Sequence, residues 1–427
     1  MNTTKRLSLV LLCSIALAGS MSAVTNNLFL SYDPVFHRLG SREAGWDLSV
    51  VSELGYDASG RQPVDSEDDD LGSTKVNPLQ LWTKDQNMLA MLKGAEADTA
   101  AYVLAQTLNI DDDDGFRGHV IPTGDFKISH VTTLAARWNI KWNVALSLFV
   151  PFYSMKLSNL AFEDQTSSTG TSEDALVRST LTNDIPGNIE ALTGIKAQNW
   201  SRQGLGDMVA NASWSHHFEQ HRPLLKGVEL AAHAGLSFPT SKNKNEDRFF
   251  DVPFGYDGAY AIPFGGSLGL DITKYLCFKI NADFVHRLGT TRAARRLRVD
   301  ESQTDLLLLR KTSVYVDWGF IQRFTLSFQT RNLAAGLRAR ALYQYQHIGE
   351  DEYFVNDSTF SAATANGAAS MDESSTHHVI GILECDTRDY DVDWRLRPRF
   401  GAFYKIPFKG KRALTTSSFG LYFGGQF

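Results

Sequence analysis

The stretch VDWRLRPRFGAFYK, residues 392–405, alternates apolar side chains with mostly polar ones. The apolar set shares one parity: Val392, Trp394, Leu396, Pro398, Phe400, Ala402 and Tyr404. The other parity holds Asp393, Arg395, Arg397, Arg399, Gly401, Phe403 and Lys405. Because successive side chains of a β-strand point to opposite faces, one face of this strand suits lipid and the other suits water. The stretch therefore predicts an amphipathic strand of membrane-barrel length.

Similar alternation recurs at residues 142–152, 228–238, 262–272, 276–284 and 337–345. Soluble sandwiches also alternate, so the loop lengths are needed to choose between the two classes. Short turns are expected near 140–141, 219–226, 273–274, 332–334 and 387–390, and long polar stretches at 58–114, 160–203, 241–256, 290–312 and 350–376. With a last turn at 409–412, this rhythm predicts an all-β fold: a single transmembrane antiparallel up-and-down β-barrel of 12 strands, with 14 as the alternative count.

The amino-terminal residues have the layout of a secretory signal peptide. Lys5 and Arg6 precede an apolar stretch, residues 7–18, which small residues follow up to Ala23. We expect residues 1–23 to be a cleaved signal, 24–45 a periplasmic segment and 46–427 a barrel in a bacterial outer membrane. Beyond the signal no run of about 18 apolar residues occurs, so a membrane location requires a closed barrel.

The first long loop carries apolar residues at mostly helical spacing, at about residues 76–108. We expect one or two helices there, and a shorter helix at 188–198. Such inserts would either form a lid or ligand groove at the mouth of the barrel or simply pack together as loop structure.

The basic residues of the stretch quoted first are candidates for the pore lining. The full candidate set is Lys279, Asp283, Arg338, Arg340, Asp393, Arg395, Arg397, Arg399 and Lys405. Guanidinium groups in a narrow pore favour anions. The alternative is a packed salt-bridge network with Asp283, Asp317, Glu384, Asp386 and Asp393, which would stiffen or close the lumen.

The last strand also alternates, with Phe419, Leu421, Phe423 and Phe427 on one parity. An alternating strand with a carboxy-terminal Phe resembles the assembly signal of bacterial outer-membrane proteins. The resemblance implies the barrel-assembly machinery as a partner, together with outer-membrane lipid and lipopolysaccharide. The alternative is the ordinary last strand of a secreted β-domain.

Several other kinds of chemistry lack a signal. A net charge of −6 and a pI of about 6.0 argue against a nucleic-acid partner. The acidic run at 111–114 is not a calcium loop, because Ile110 and Ile121 occupy the ligand positions that would flank it. Neither a metal-ligand spacing, a serine–histidine–acid set nor a phosphate loop is recognisable. We therefore expect no cofactor and no enzymatic activity.

A Gly-x-Gly-Asp motif, residues 204–207, lies where a long loop leads into a strand, and Val150, Pro151 and Phe152 end the strand before it. These features resemble outer-membrane channels of the long-chain fatty-acid and aromatic-hydrocarbon transporter type, including phenol-degradation-pathway barrels. Members carry an Asn-Pro-Ala plug, whereas here Asn77 and Pro78 are followed by Leu79, so no plug is carried over.

The sequence therefore predicts a passive, porin-like outer-membrane channel for a small-molecule solute. One alternative is a non-transporting surface barrel whose large loops bind a partner or lipopolysaccharide. Another is a barrel enzyme that acts on lipid or peptide.

Overall fold

Twelve long strands run antiparallel, each hydrogen-bonded to its neighbours in the chain. The computed structural model describes residues 44–63, 73–111, 114–168, 170–273, 275–330, 336–387 and 396–427. The barrel strands are β1 (Gly45–Pro63), β2 (His119–Asn139), β3 (Val144–Asp164), β4 (Met208–Arg222), β5 (Leu225–Phe238), β6 (Ala261–Asp271), β7 (Leu276–Arg287), β8 (Ile321–Thr330), β9 (Leu337–Ile348), β10 (Ser374–Asp386), β11 (Arg397–Lys411) and β12 (Ala413–Gln426).

Strand β1 closes the barrel, because it pairs with both β2 and β12. Val50 lies opposite Leu134 on one side and opposite Phe423 on the other. No strand of this cylinder has a free edge along its paired length, which is the condition for a sheet that crosses lipid. The prediction of a 12-stranded up-and-down barrel is confirmed, and the alternative count of 14 is not observed in the described residues.

The two ends of the barrel differ in their connections, as the loop rhythm predicts. At the turn end, the strands are joined across residues 140–143, 223–224, 272–275, 331–336 and 387–396. At the loop end, the connections are loop 1 (64–118), loop 2 (165–207), loop 3 (239–260), loop 4 (288–320) and loop 5 (349–373). The remaining connection at the loop end, between β11 and β12, is a tight turn at Arg412, which has a φ of 45°.

Loops 1, 2 and 5 contain five short α-helices: α1 (Met88–Met91), α2 (Ala100–Thr107), α3 (Ser172–Thr180), α4 (Ile185–Thr193) and α5 (Ala362–Asn366). Short 3₁₀ turns lie at Pro78–Gln80, Leu92–Gly94, Asp114–Phe116 and Ala369–Met371. Helices α1 and α2 lie in the predicted insert, α4 lies where the shorter helix is expected, and α3 has no counterpart among the predictions. Among the described residues, no helix is both long enough and apolar enough to cross a membrane.

Short loop strands extend the sheet at the loop end. Ser73–Val76 pairs with β1, Gln86–Asn87 with β2 and Trp200–Leu205 with β3. A separate three-stranded sheet joins Thr290–Arg296, Lys311–Asp317 and Glu352–Val355, which links loop 4 to loop 5.

The outer surface of the strands carries an apolar belt. Exposed members come from every barrel strand: Leu48, Val50, Leu54, Leu134, Leu146, Leu148, Phe152, Trp214, Leu230, Leu236, Leu268, Ile280, Phe324, Leu326, Phe328, Tyr343, Val379, Leu383, Phe400, Tyr404, Ile406, Phe419, Leu421 and Phe423. At the turn end Trp46 stacks on Trp138, with ring centroids 6.0 Å apart. A continuous apolar belt with interfacial tryptophans is the surface that a membrane barrel presents to lipid.

Loops 1 to 5 fold together over the mouth of the barrel and form the cap. Its core joins Leu89 of loop 1, Ile189 of loop 2, Phe254 of loop 3 and Leu307 of loop 4, all essentially inaccessible to solvent. The inward-facing upper parts of β2 and β3 complete this core through Phe126, Ile128, Met155 and Leu157. A second apolar core, which includes Trp318 and Phe360, joins loops 3, 4 and 5. Both cores give the cap the packing of a small folded domain.

Candidate transport pathway

The inner wall of the barrel holds the predicted pore-lining residues that the structure describes. Lys279, Asp283, Arg338, Arg340, Arg397, Arg399 and Lys405 alternate with outward-facing residues such as Ile280, Phe400 and Tyr404. Asp393 and Arg395 lie outside the described residues. On the last strand Phe419, Leu421, Phe423 and Phe427 are exposed on the outer face, on the parity expected for lipid contact.

Paired charges surround Glu384 near the turn end. Arg340 Nη2 donates to Glu384 Oε2 at 3.0 Å, and Arg338 Nη1 lies 3.4 Å from Glu384 Oε1 and 3.4 Å from Asp386. The Tyr422 hydroxyl also donates to Glu384. The arginines of this group are therefore close to carboxylates, and much of their field is neutralised locally.

A band of polar side chains crosses the inner wall from β4 to β10 in two adjacent rows of directly paired residues. The first row is Ser213, His233, Gly265, Asp283, Arg323, Gln346 and Thr376. The second row, one step nearer the turn end, is Ser215, Ala231, Ser267, Asn281, Thr325, Gln344 and His378. We call these two rows the polar band.

Asp283 is the charged centre of the polar band. His233 Nε2 lies 3.4 Å from Asp283 Oδ1, and Arg323 Nε lies 3.7 Å from Asp283 Oδ2. The wall beside them on β4 to β6 is lined by small residues, including Ser213, Ala231 and Gly265. Most of the larger polar side chains of the band lie on β7 to β9.

Most neutral members of the polar band are deeply buried, and several lack a hydrogen-bond partner. Within the described part of the chain, no partner is found for the following atoms: Ser213 Oγ, Ser267 Oγ, Thr325 Oγ1, Gln344 Nε2, Thr376 Oγ1 and His378 Nδ1. Buried polar groups of folded proteins nearly always have a partner, so these atoms are exceptions to the usual pairing.

Next to the polar band, towards the turn end, the inner wall formed by β1 and β9 to β12 is apolar. Val51, Leu342, Ile380, Ile382, Phe403 and Tyr422 form one buried cluster on β1 and β9 to β12. Leu342 and Ile380 lie one step nearer the turn end than Gln344 and His378, so the cluster begins where the polar band ends. We call this cluster the apolar wall. The lumen is thus amphipathic, with one polar side and one apolar side.

Solvent reaches the lumen more readily near the turn end. Lys279 Nζ lies 3.1 Å from Glu229 Oε1 in an ion pair, and the two side chains are 24% and 27% exposed to solvent. His217 and Asp271, 3.0 Å apart, lie at a similar level, and His217 is also partly exposed. Side chains of the polar band are in contrast largely shielded, so solvent access to the inner wall decreases from the turn end towards the polar band.

A cavity of about 70 Å³ lies within the loops and is lined by Trp82, Phe249 and Phe250 together with charged residues of loops 3 and 4. Arg295 crosses its wall: Nη1 donates to Glu246 at 2.7 Å and to Asp257 at 2.9 Å. Burial alone would raise the pKa of Glu246, but the charges of Lys244 and Arg295 outweigh it and lower that pKa.

Asp305 lines the same cavity, but there the nearby positive charge does not outweigh the effect of burial. Burial raises the pKa of its carboxyl group to about 6, against the smaller opposing effect of Arg298. Ser370 Oγ lies 3.4 Å from Asp305 Oδ1. The cavity therefore contains a carboxyl group that keeps its proton to a higher pH than an ordinary aspartate does.

The Gly-x-Gly-Asp motif fastens loop 3 to the start of β4. Asp207 is fully buried, and its carboxylate accepts hydrogen bonds from the backbone amides of Ser241 at 3.0 Å and Tyr256 at 2.6 Å. A Cβ atom on Gly206 would lie 2.2 Å from the ring of Tyr153. Both residues thus have a structural explanation that does not require a ligand.

The sequence pattern missed the polar band because most of its members are uncharged. In the sequence Asn281 and Gln344 only share the polar parity of their strands, and no feature of the sequence aligns them with Ser267 or Thr325. Strand register creates the band, and register is not readable from one strand alone. Among the described residues, no three His, Cys, Asp or Glu side chains meet as a metal site.

No protein-family model matches this sequence, and no curated protein matches it either. Among solved structures, an outer membrane channel from Pseudomonas putida F1 is similar, with a TM-score of 0.49 and 10% identity over 93% of this chain and 100% of that chain. The CymD monoaromatic hydrocarbon channel gives a TM-score of 0.28 and 8% identity, covering 90% of this chain and 88% of that one. At these identities and scores the likenesses imply no substrate or mechanism for this chain.

Proposed function

We propose that this protein is an outer-membrane channel that lets small molecules pass by passive diffusion. The observation that carries the proposal is the pairing of two surfaces in one closed barrel. An apolar belt covers the outside, and polar and ionic side chains cover much of the inside. A polar interior inside a lipid-facing barrel provides a route for solutes that lipid excludes.

The described conformation corresponds to a closed state of such a channel. Partly exposed side chains near the turn end are followed by the buried side chains of the polar band, and the cap covers the mouth beyond it. Passage then requires movement of cap loops or of lumen side chains. Loop movement is a common gate in proteins, and here the cap is the element placed to provide it.

Further features belong to the same proposal. Residues 1–23 would serve as the cleaved export signal and 24–45 as a periplasmic segment, both outside the described residues. The outward row of Phe419, Leu421, Phe423 and Phe427 would be recognised by the barrel-assembly machinery, and the long loops would contact lipopolysaccharide. Lys279, Asp283, Arg338, Arg340, Arg397, Arg399 and Lys405 would line the pathway, as would Asp393 and Arg395, which lie outside the described residues.

Single-channel recording tests the proposal. The purified full-length barrel, reconstituted in planar bilayers, should give discrete conductance steps, because an interior pathway conducts ions in all-or-none openings. A variant with a weakened cap, Arg287→Met, should open more often than the unchanged protein. Absence of conductance in both proteins, together with no solute flux into proteoliposomes, would contradict a channel.

A second function is favoured by the cap itself. Its two apolar cores and buried ion pairs give a folded surface at the loop end, which suits a non-transporting barrel that binds a partner or lipopolysaccharide. Such a barrel would bind through its loops without conductance. Recording and binding therefore separate the two functions, and we assign no catalytic role to any residue.

A further inference from the structure

The cavity inside the cap is built by all five loops. Trp82 belongs to loop 1, Ile195 to loop 2, Phe250 to loop 3, Asp305 to loop 4 and Met371 to loop 5. An apolar cavity of about 150 Å³ holds benzene, so the volume of about 70 Å³ found here limits a ligand to roughly the size of acetate. Space for a small molecule therefore exists where the loops meet.

Two arginines of the lining have N–H groups that the chain does not use. Arg295 donates from Nε and Nη1 to side chains of Tyr353, Glu246 and Asp257, and no described residue accepts a hydrogen bond from its Nη2. Arg298 donates from Nη1 and Nη2 to two backbone carbonyls, whereas its buried Nε has no partner among the described residues. Both guanidinium groups can therefore donate a further hydrogen bond to a ligand.

The charges around the cavity leave a positive excess. The lining and the described ion pairs connected to it contain eight cationic and five acidic side chains: Arg202, Lys244, Arg248, Arg292, Arg295, Arg296, Arg298 and Lys311, against Glu246, Asp247, Asp251, Asp257 and Asp305. Such a field favours an anion over a cation. A carboxylate also has two oxygens, which can accept from two N–H donors at once.

Apolar side chains and one carboxyl group complete the lining. Trp82, Phe250 and Met371 offer a surface for a hydrocarbon group, which a bare inorganic anion would leave uncovered. Asp305 has Ser370 as its hydrogen-bond partner among the described residues. Once Asp305 is ionised it repels an anion, so it weakens binding of a carboxylate and does not hold it.

We propose that the cap cavity is a binding site for a short-chain carboxylate of the size of acetate, held by the unused N–H groups of Arg295 and Arg298. The site lies in the loops and not on the inner wall of the barrel, so the inference goes beyond the proposed function and does not depend on conduction. Because all five loops contribute to the lining, an occupied cavity stabilises the closed cap.

Acetate, acetamide and acetamidinium test the inference, because they share one planar shape and differ in charge. Each probe, labelled with ¹³C, is titrated with the detergent-solubilised full-length barrel at about pH 8, where Asp305 is ionised, and its NMR line width is measured. We expect acetate to bind with a Kd of about 1 mM, since so small a ligand makes few contacts, and the other two to bind more weakly. Equal binding of acetamide, or tighter binding of acetamidinium, overturns the inference.

Variants with opposite expected effects locate the binding in the cavity. Arg298→Met removes the unused Nε–H and one positive charge, and it should weaken acetate binding at least about tenfold, the value of a hydrogen bond to a charged group. Asp305→Asn removes the repelling charge and should strengthen acetate binding about two- to tenfold at the same pH. The matched control is Arg178→Met, which changes a cap arginine outside the lining and should leave the affinity unaltered.

A cavity-filling variant covers the case in which Arg298→Met disturbs the cap, as accelerated hydrogen exchange would reveal. Ala368 is buried in the lining, and Ala368→Leu occupies the space without changing any charge, so it should abolish acetate binding. Unchanged affinity in both Arg298→Met and Ala368→Leu would place the binding elsewhere and overturn the inference. Weaker acetate binding in Asp305→Asn would also overturn it, because the carboxylate would then attract the ligand. Bilayer conductance enters none of these outcomes, so the cap site and the channel function can fail separately.

Discussion

Buried polar groups are treated differently in the cap and in the polar band. In the cap, Arg296 donates to backbone carbonyls of Thr193, Leu308 and Glu246, at 2.7 to 2.8 Å, and also to Asp247. Arg287 and Asp351, both fully buried, lie 2.8 Å apart and hold Gly319 between them. In the polar band, the hydroxyl groups of Ser267, Thr325 and Thr376 and the amide nitrogen of Gln344 are equally buried, and no hydrogen-bond partner is found for them among the described residues.

This difference indicates two separate roles. A group whose hydrogen bonds are made within the chain contributes to the fold, and its removal leaves the partner unpaired at a high cost. A buried group without a partner contributes little to the fold, and it remains available for a ligand. We therefore propose that the cap serves structure and gating, and that the polar band lines the proposed pathway.

The largest effect is expected from Arg287→Met. It leaves the Asp351 carboxylate buried without its charge partner, which typically costs about 3 to 5 kcal/mol. Hydrogen exchange in loops 4 and 5 should accelerate accordingly. Arg178→Met removes a cap arginine that is 42% exposed. It should change the free energy of opening, obtained from hydrogen exchange, by less than about 0.5 kcal/mol. Similar exchange in both variants would remove the distinction between structural and exposed charges.

The next effect concerns the belt, which must face lipid if the polar band faces the lumen. Leu421 is 55% exposed halfway along β12, and Leu421→Arg should destabilise the inserted barrel by about 2 to 4 kcal/mol. Leu396→Arg makes the same change at the turn end and should cost at most about 1 kcal/mol. Denaturant titration in lipid vesicles measures both. A larger loss at Leu396 would mean that our placement of the belt is wrong.

A smaller effect should appear as a pH dependence of the cap. The folded-state pKa of Asp305 is about 6, above its ordinary value of 3.8, so the folded cap binds the proton more tightly than the opened cap does. Stability is then greatest below about pH 4 and falls as pH rises through 6, by roughly 1 to 2 kcal/mol after partial solvent screening. Hydrogen exchange across this range checks it, and Asp305→Asn should abolish the change.

The smallest effect is expected from Thr325→Val on stability. The hydroxyl group has no partner in the described residues, so replacing it with a methyl group should leave the unfolding free energy unchanged or raise it by up to about 1 kcal/mol. Denaturant titration in vesicles gives the value. A loss above 1 kcal/mol would show that Thr325 has a structural partner and would weaken the contrast with the cap.

Sequence alternation predicts strands well where one wall is polar and the other apolar, as in β7 and β9. It is weak in β2 because bulges near Thr123 and Ile128 shift the phase of the side chains. It is weak in β10 for another reason: Ile380 and Ile382 point inwards into the apolar wall, so both faces of that strand are apolar. The predicted number of strands was nevertheless correct, because it rested on the loop lengths and not on the alternation in these two strands.

The candidate site was less predictable than the fold. Charged inward residues such as Asp283 and Arg340 stand out in the sequence, whereas their partners are set by strand register and lie 40 or more residues away. The folding of the cap was equally hidden, since loop residues as distant as Leu89 and Leu307 share one core without a periodic signal between them. Long-range packing has no local pattern from which it can be read.

The seam between β1 and β12 has a consequence for how the barrel forms. Val50 and Phe423 are neighbours in space but about as far apart in sequence as the barrel allows, so their pairing closes a very long chain loop. Hairpins such as β11 and β12 form from local contacts and can assemble early, whereas the pairing of β1 with β12 forms last. Until then both outer strands are unsatisfied edges, open to pairing with another chain. Kinetically, the seam is the step at which an unfinished barrel is most prone to aggregate.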